Sequence, residues 1–220
     1  MMANLAEELL LLAFHDQTGR NQATNLELGL AGAIVLELAL AERIDVVDKR
    51  VRVVDATPTG DGLVDFMLQR LADDKPRRAQ SVVQRLSRGL VQQVRDGLVR
   101  SGVLRHDRDT VLGLFPFNRY VATADNRIEV DAVRRLSTAI DTGHTRDQRT
   151  SALASLVYIL QLEKKVFPDR RKRDVRAALK QLSEASWASR ATKQAVDAAM
   201  AAAMAAVTAA AASSAAASSN

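Results

Sequence analysis

The clearest chemical feature of the sequence is a run of arginines that leads directly into an apolar segment. Six arginines lie from Arg85 to Arg108. Within this run, Arg88, Gln92 and Arg95 are spaced four and three residues apart, and this spacing places them on one face of a helix. Guanidinium groups bind phosphate oxygens through paired hydrogen bonds. The run therefore predicts a helix whose polar face binds phosphate groups.

The segment from Leu104 to Ala122 follows this helix and predicts a β-hairpin, because its apolar residues surround a central turn. Its tip carries four large apolar side chains, those of Leu112, Leu114, Phe115 and Phe117. Successive residues of a strand point to opposite faces, so these side chains cannot all be buried on one side. A cationic helix beside an apolar tip suits an anionic membrane surface. We expect the tip either to insert into a membrane or to mediate self-association.

Other interpretations of the same segment remain open. A basic face that is merely solvated, with the hairpin folded onto the core, would bind nothing. A basic helix followed by a two-stranded hairpin is also the arrangement of a winged-helix DNA-binding protein, but Leu90, Val94 and Leu98 make this helix amphipathic and leave a small polar face for base edges. We therefore expect no nucleic acid as a partner. An adaptor that binds only other proteins, such as the tails of membrane proteins, is the third class.

A second basic cluster extends from Lys164 to Arg176 and surrounds Pro168. The proline predicts a corner between two helices at this point. Such a cluster can contact phosphates, but a run of like charges is more often simply solvated.

Enzymatic chemistry finds little support in the sequence. Cysteine is absent, and the three histidines are too far apart to form a metal-binding motif. The carboxylates of Glu7, Glu8 and Glu37 are candidates for an acid–base pair, but their spacing indicates no such geometry. We expect no catalytic activity, no cofactor and no bound metal.

Composition places the chain among ordinary globular proteins of a reducing compartment. It has 220 residues, a formal net charge of +5 and 47% apolar residues, which is enough for one full core. The absence of cysteine favours a cytoplasmic location over an extracellular one. Low glycine and proline contents favour helices.

Local patterns predict an all-α, mostly helical single domain with one or two short β-hairpins. Asn4 and Glu7 form a capping-box pattern at the start of a first helix. The segment from Asn25 to Ala41 is apolar nearly all round and predicts the central core helix. The β-branched segment from Ile44 to Val54 predicts a first hairpin. Further helices are expected at about 60–73, 78–86, 89–101, 130–141, 147–165, 171–185 and 188–206.

The C-terminal segment 198–220 differs from the helical domain, for which we expect residues 1–197. From Ala198 to Ala217 it has no charged residue, and most of its residues are alanine. Its length would permit a membrane span, but alanine contributes little transfer free energy. We expect the end of an Ala-rich helix followed by a disordered tail.

Several segments resemble the Golgi phosphoprotein 3 family, and they occur in the family's order from about Leu5 to Lys180. Residues 5–16, LAEELLLLAFHD, are similar to its first helix, and residues 29–40 are similar to its core helix. The most specific similarity is DATPTGD at residues 55–61. The similarity continues with Gly102-Val103-Leu104 before the second hairpin and with the segment 147–167. The Ala-rich end is similar to that of compact prokaryotic members.

The resemblance implies a mostly helical peripheral membrane protein that binds phosphatidylinositol 4-phosphate and uses an apolar hairpin to form oligomers. The family's lipid site has a tryptophan, an arginine on the core helix and two arginines on the helix before the hairpin. These four positions carry Gln22, Ala31, Arg88 and Val91 in this chain. Because only one arginine is kept, we expect weak discrimination between acidic headgroups. We expect a less selective site for anionic lipid headgroups or phosphate, with the candidate residues Arg20, Gln22, Arg88 and Arg95.

Overall fold

The computed structural model describes residues 3–14, 21, 23–48, 50–111, 115–123, 126–183 and 190–217. Within these residues the chain is mostly helical, with two small antiparallel sheets, so the expected fold class is confirmed. The helices are α1 (Leu5–Ala13), α2 (Leu26–Leu40), α3 (Gly62–Ala72), α4 (Ala79–Leu86), α5 (Leu90–Arg100), α6 (Arg127–Thr142), α7 (Gln148–Ile159), α8 (Glu163–Val166), α9 (Lys172–Ser183) and α10 (Arg190–Ala217). The strands are β1 (Ile44–Val47), β2 (Arg50–Val53), β3 (Arg77–Arg78), β4 (Leu104–Val111) and β5 (Phe115–Ala122).

Both predicted hairpins are present. Strands β1 and β2 pair with Ile44 opposite Val53, and the short strand β3 extends this pair to a three-stranded sheet. Strands β4 and β5 form a separate hairpin in which Leu104 lies opposite Ala122. This second hairpin follows α5 directly and packs against it. It therefore stands beside the basic segment that the sequence singled out.

Helix α2 is the centre of the core, as its apolar sequence predicts. Leu30, Ile34 and Leu38 are fully buried, and α2 packs against α1, α7 and α10. Two glycines of α2 allow close approach of its neighbours. A Cβ atom on Gly29 would lie 2.6 Å from Leu160, and one on Gly32 would lie 2.6 Å from the Cβ of Ala203 in α10.

We expect Gly32→Ala to lower the free energy of unfolding by roughly 1–3 kcal/mol, because the new methyl group meets a Cβ atom that no side-chain rotation can move. Urea unfolding measures this change. Gly62→Ala is the matched control, since a Cβ atom there has nothing within 4 Å. Equal loss of stability in both variants would show that the α2–α10 contact is not the cause.

Helix α10 continues through the segment for which we expected a helix end and a disordered tail. It is helical up to Ala217, and Ala199, Ala203 and Ala206 are buried in the core. Small side chains let it lie close to α2, with which it makes extensive contact. Of the helices in the described residues, none combines the length and the hydropathy needed to cross a membrane.

The helix expected at 147–165 is interrupted. Helix α7 ends at Ile159, Gln161 adopts a φ of 56°, and α8 begins at Glu163. The amide of Leu162 donates to the carbonyl of Val157 at 3.0 Å, which closes the helix end. Glycine usually occupies such a left-handed position, so the sequence carried no signal for the break.

Helix α1 packs between the core helix and the helices α5 and α6. Its first turn is closed by the predicted capping box, in which Asn4 and Glu7 bond to each other's backbone. Its residues from Leu9 to Ala13 are buried, and α1 packs against α2, α5 and α6. It ends at Phe14, beside α5.

Candidate functional site

Arg95 lies at the junction of α1, α5 and the second hairpin, between two aromatic rings. Its guanidinium carbon is 4.6 Å from the centre of the Phe14 ring and 4.9 Å from the centre of the Tyr120 ring. Phe14 caps the end of α1, and Tyr120 belongs to β5. Cation–π contacts of this length hold a guanidinium in place. The three elements therefore position one cation at the base of the hairpin.

Two further side chains hold Tyr120. The Nε2 group of Gln92 donates to its hydroxyl oxygen at 3.1 Å. The His106 ring, directly opposite on β4, stacks on the Tyr120 ring with 4.6 Å between centres and 5° between planes. We call Phe14, Gln92, Arg95, His106 and Tyr120 the Arg95 cluster. Sequence spacing correctly placed Gln92 and Arg95 near each other on α5.

Arg95 forms no salt bridge among the described residues, although the nearby Asp96 attracts its charge. Its Nε atom is buried and bonds to no acceptor. The neighbouring Asp96 accepts instead from Gln92, at 2.7 Å. Desolvation lowers the pKa of Arg95 from its ordinary value, although the group remains charged. A half-buried cation without a counter-ion is stabilised by any anion that reaches it.

Arg88 is exposed in the turn between α4 and α5. The expectation that it shares a helix face with Gln92 and Arg95 is wrong, because Gly89 has a φ of 71° and α5 begins only at Leu90. Its side chain bonds to nothing in the part of the chain that the structure describes. Arg88 is thus available to a ligand from the turn that precedes α5.

The other positions named for the site are either in the core or outside the described residues. Ala31 is fully buried in α2, and Val91 is half-buried against the core. Arg20 and Gln22 lie outside the described residues, as do Leu112 and Leu114. The backbones of Phe115 and Phe117 belong to β5, opposite Val111 and Asp109, but their side chains also lie outside the described part.

A comparison with known protein families matches residues 5–199 to the model described as Golgi phosphoprotein 3 (GPP34). This chain belongs to the Golgi phosphoprotein 3 family. The match extends from α1 into α10 and includes both hairpins. Arg88 and the Arg95 cluster consequently lie on the shared fold of this Golgi phosphoprotein 3 family member.

The DATPTGD segment, the most specific family signature, is structural in this member of the Golgi phosphoprotein 3 family. Asp61 caps α3 by accepting from the amides of Leu63 and Val64, and it also accepts from the Asn4 side chain at 2.8 Å. Asp65 accepts from the amide and the hydroxyl group of Thr59 at 2.6 and 2.7 Å. The segment therefore ties the start of α1 to the start of α3.

The acidic residues considered for acid–base chemistry are held by arginines. Glu8 is almost fully buried and pairs with Arg135 at 2.9 Å and with Arg149 at 3.4 Å. Arg149 also pairs with Glu37 at 2.6 Å and donates to the carbonyl of Ala3. Burial removes the carboxylate from water and raises the pKa of Glu8 in spite of the two arginines, and one of its oxygens has no partner among the described residues. We call Glu8, Glu37, Arg135 and Arg149 the buried ionic network.

Glu7 has a separate structural role, since its carboxylate accepts from the Asn4 amide at 3.1 Å. Burial raises the pKa of Glu7 as well. No group of three or more potential metal ligands occurs within the residues that the structure describes.

Part of the second basic cluster is also engaged in ion pairs. Arg170 binds Asp141 at 2.7 Å, and Arg176 binds the fully buried Glu163 at 2.5 Å. Arg171 and Arg173 are exposed at the start of α9. Their exposure fits the solvated charge run that the sequence favoured, and it makes them useful controls for charge.

Proposed function

We propose that this protein is a peripheral membrane protein that binds the anionic headgroups of phospholipids through Arg95 and Arg88. The observation that carries the proposal is the guanidinium of Arg95, which is held between Phe14 and Tyr120 without a salt bridge and with a buried Nε that has no acceptor. A headgroup phosphate would supply the missing negative charge. Membership of the Golgi phosphoprotein 3 family supports a membrane-associated role on the cytoplasmic side.

Position supports the same proposal. The Arg95 cluster includes Tyr120 and His106 of the β4–β5 hairpin, so the element proposed to contact the membrane also holds the arginine proposed to bind phosphate. Arginine provides a planar donor fork that fits phosphate oxygens. We propose binding without catalysis, because Glu8 and Glu37 are occupied by arginines. Self-association through the hairpin and capture of membrane-protein tails are further roles within this proposal.

Headgroup recognition is proposed to be broad. Ala31 and Val91 contribute no donor where the resemblance implies arginines. A single stacked guanidinium responds to the negative charge of a headgroup more than to the shape of that headgroup. Phosphatidylinositol 4-phosphate is therefore expected to bind about as well as phosphatidylglycerol or cardiolipin of matched charge.

We expect Arg95→Gln to weaken binding to vesicles of phosphatidylcholine with phosphatidylglycerol by about tenfold, because it removes one charge-assisted phosphate contact. Cosedimentation measures the bound fraction at physiological salt. Arg173→Gln removes the same charge from an exposed site on α9 and is expected to bind like the parent. Equal weakening in both variants would indicate that only net charge matters.

A mobility-shift assay with duplex DNA, at the same salt concentration, separates the proposal from the winged-helix alternative. We expect no shift at protein concentrations that saturate the vesicles. A shift that Arg95→Gln abolishes, together with absent vesicle binding, would favour DNA over lipid.

A further inference from the structure

A cavity lined by cationic side chains lies between the C-terminal half of α6 and the start of α7. Its volume is about 300 Å³. Charged and polar side chains dominate its lining, namely those of Arg134, Arg135, His144, Arg146, Asp147 and Thr150. Neither the family resemblance nor the Arg95 cluster accounts for this concentration of arginines.

Among the side chains that line the cavity, positive charges outnumber negative ones, while Asp131 and Glu8 pair with Arg134 and Arg135 from outside the lining. Three guanidinium groups line it against one carboxylate, that of Asp147. Both oxygens of Asp147 are already used at the start of α7, where they accept from the amide of Thr150 at 2.7 Å and from its hydroxyl group at 2.8 Å. Asp147 forms no ion pair with the three arginines in the described residues.

Arg135 forms a fixed wall of the cavity. Its Nε group binds Asp131 at 2.8 Å, one terminal nitrogen donates to Thr150 at 3.0 Å, and the other binds Glu8 at 2.9 Å. These contacts come from α6, α7 and α1, so the guanidinium is positioned before any ligand arrives. Preorganised donors lower the cost of binding.

The other two arginines keep free hydrogen-bonding capacity. Arg146 is exposed, and its side chain has no hydrogen bond or ion pair within the described part of the chain. Within the described residues the Arg134 side chain pairs with Asp131 alone, which does not line the cavity, and it is 74% exposed. A ligand entering the cavity meets two available guanidinium groups beside the fixed one.

We propose that this cavity binds the phosphomonoester group of a small molecule. A phosphate dianion presents three terminal oxygens, enough for hydrogen bonds from several guanidinium groups, whereas a carboxylate presents two oxygens and one charge. The volume is at the lower end for small-molecule sites, which favours a compact ligand.

The proposed site is independent of the lipid site. Arg135 binds Glu8 in the first turn of α1, whereas Arg95 stacks on Phe14 at the end of α1. At 1.5 Å per residue, Glu8 and Phe14 are separated by roughly 9 Å along α1. Failure of one site therefore leaves the other untouched.

Isothermal titration calorimetry of the full chain tests the site with inorganic phosphate and with glycerol 3-phosphate, and glycerol serves as the uncharged control. We expect saturable binding of both phosphates with one site per chain. Arg146→Gln is expected to weaken binding by at least about tenfold, because it removes a charge-assisted donor without breaking any internal contact. Arg171→Gln removes the same charge from an exposed residue just before α9 and is expected to bind like the parent.

Two outcomes would overturn the proposal: no saturable heat with either phosphate, or the same affinity in Arg146→Gln as in the parent. A further titration distinguishes the source of the phosphate. Glycerol 3-phosphate is titrated into the Arg95→Gln variant in the presence of vesicles that contain phosphatidic acid. If lipid headgroups reach the cavity, the vesicles compete with glycerol 3-phosphate for it. If the ligand is a soluble molecule, they do not compete.

Discussion

Replacing both Arg88 and Arg95 by alanine is expected to weaken binding to anionic vesicles by at least about a hundredfold. Each arginine supplies a charge-assisted contact to phosphate worth roughly 1.5–3 kcal/mol, and tenfold in affinity corresponds to about 1.4 kcal/mol. Arg88 is exposed, and Arg95 is held by rings rather than by an acid, so neither substitution breaks an ion pair in the described residues. Cosedimentation over a range of lipid concentrations measures the change.

The matched control is the double variant Arg171→Ala with Arg173→Ala, which has the same net charge and changes exposed residues of α9 and its preceding turn. It is expected to stay within a few-fold of the parent, since nonspecific attraction depends on total charge and is screened by salt. If the two double variants lose binding equally, Arg88 and Arg95 do not form a site.

Glu8→Ala is expected to lower the free energy of unfolding by about 3 kcal/mol. It removes a buried carboxylate from Arg135 and Arg149, and breaking a buried ion pair from one side leaves the partner charge uncompensated. Arg135 keeps Asp131 and Arg149 keeps Glu37, which limits the loss. For a chain of this size we expect the melting temperature to fall by roughly 6–12 °C.

Asp131→Ala is the control for the buried ionic network, because its side chain is largely exposed and its pairs are expected to contribute at most about 1 kcal/mol. Glu8→Gln keeps an oxygen acceptor for both arginines and should lower the free energy of unfolding by less than Glu8→Ala. If Glu8→Ala lowers the free energy of unfolding no more than Asp131→Ala does, the buried ionic network does not stabilise the fold.

The raised pKa of Glu8 gives this network a defined pH dependence. The folded protein holds the proton more tightly than the unfolded chain, so the stability contributed by protonated Glu8 is complete below pH 4.5 and is lost as the pH rises through the folded pKa. When urea unfolding is measured across this pH range, we expect the free energy of unfolding to decline less steeply with rising pH in Glu8→Gln than in the parent.

Local signals in the sequence predicted local structure well. The capping box of Asn4 and Glu7, the all-round apolar pattern of α2 and the two hairpins are each encoded within a few neighbouring residues. Where the chain adopts an uncommon conformation without glycine, prediction failed. Gln161 ends α7 in the left-handed region, and no residue pattern announces it.

The candidate site was only partly predictable, for a different physical reason. Spacing on α5 related Gln92 to Arg95, but Phe14 is distant in sequence, and only the packing of α1 on α5 brings its ring to the guanidinium. The partners of Glu8 are similarly remote, since Arg135 lies 127 residues away along the chain. One sequence without its fold carries no signal for such contacts.

The most direct test of the central claim compares binding of the unmodified chain to two sets of vesicles at physiological salt, one of phosphatidylcholine alone and one that also contains phosphatidylglycerol. Because the guanidinium of Arg95 has no salt bridge and would bind a negative headgroup, we expect the protein to sediment with the anionic vesicles and to remain in the supernatant with the neutral ones. Equal sedimentation with both, or with neither, would contradict the proposal that this protein binds anionic phospholipid headgroups.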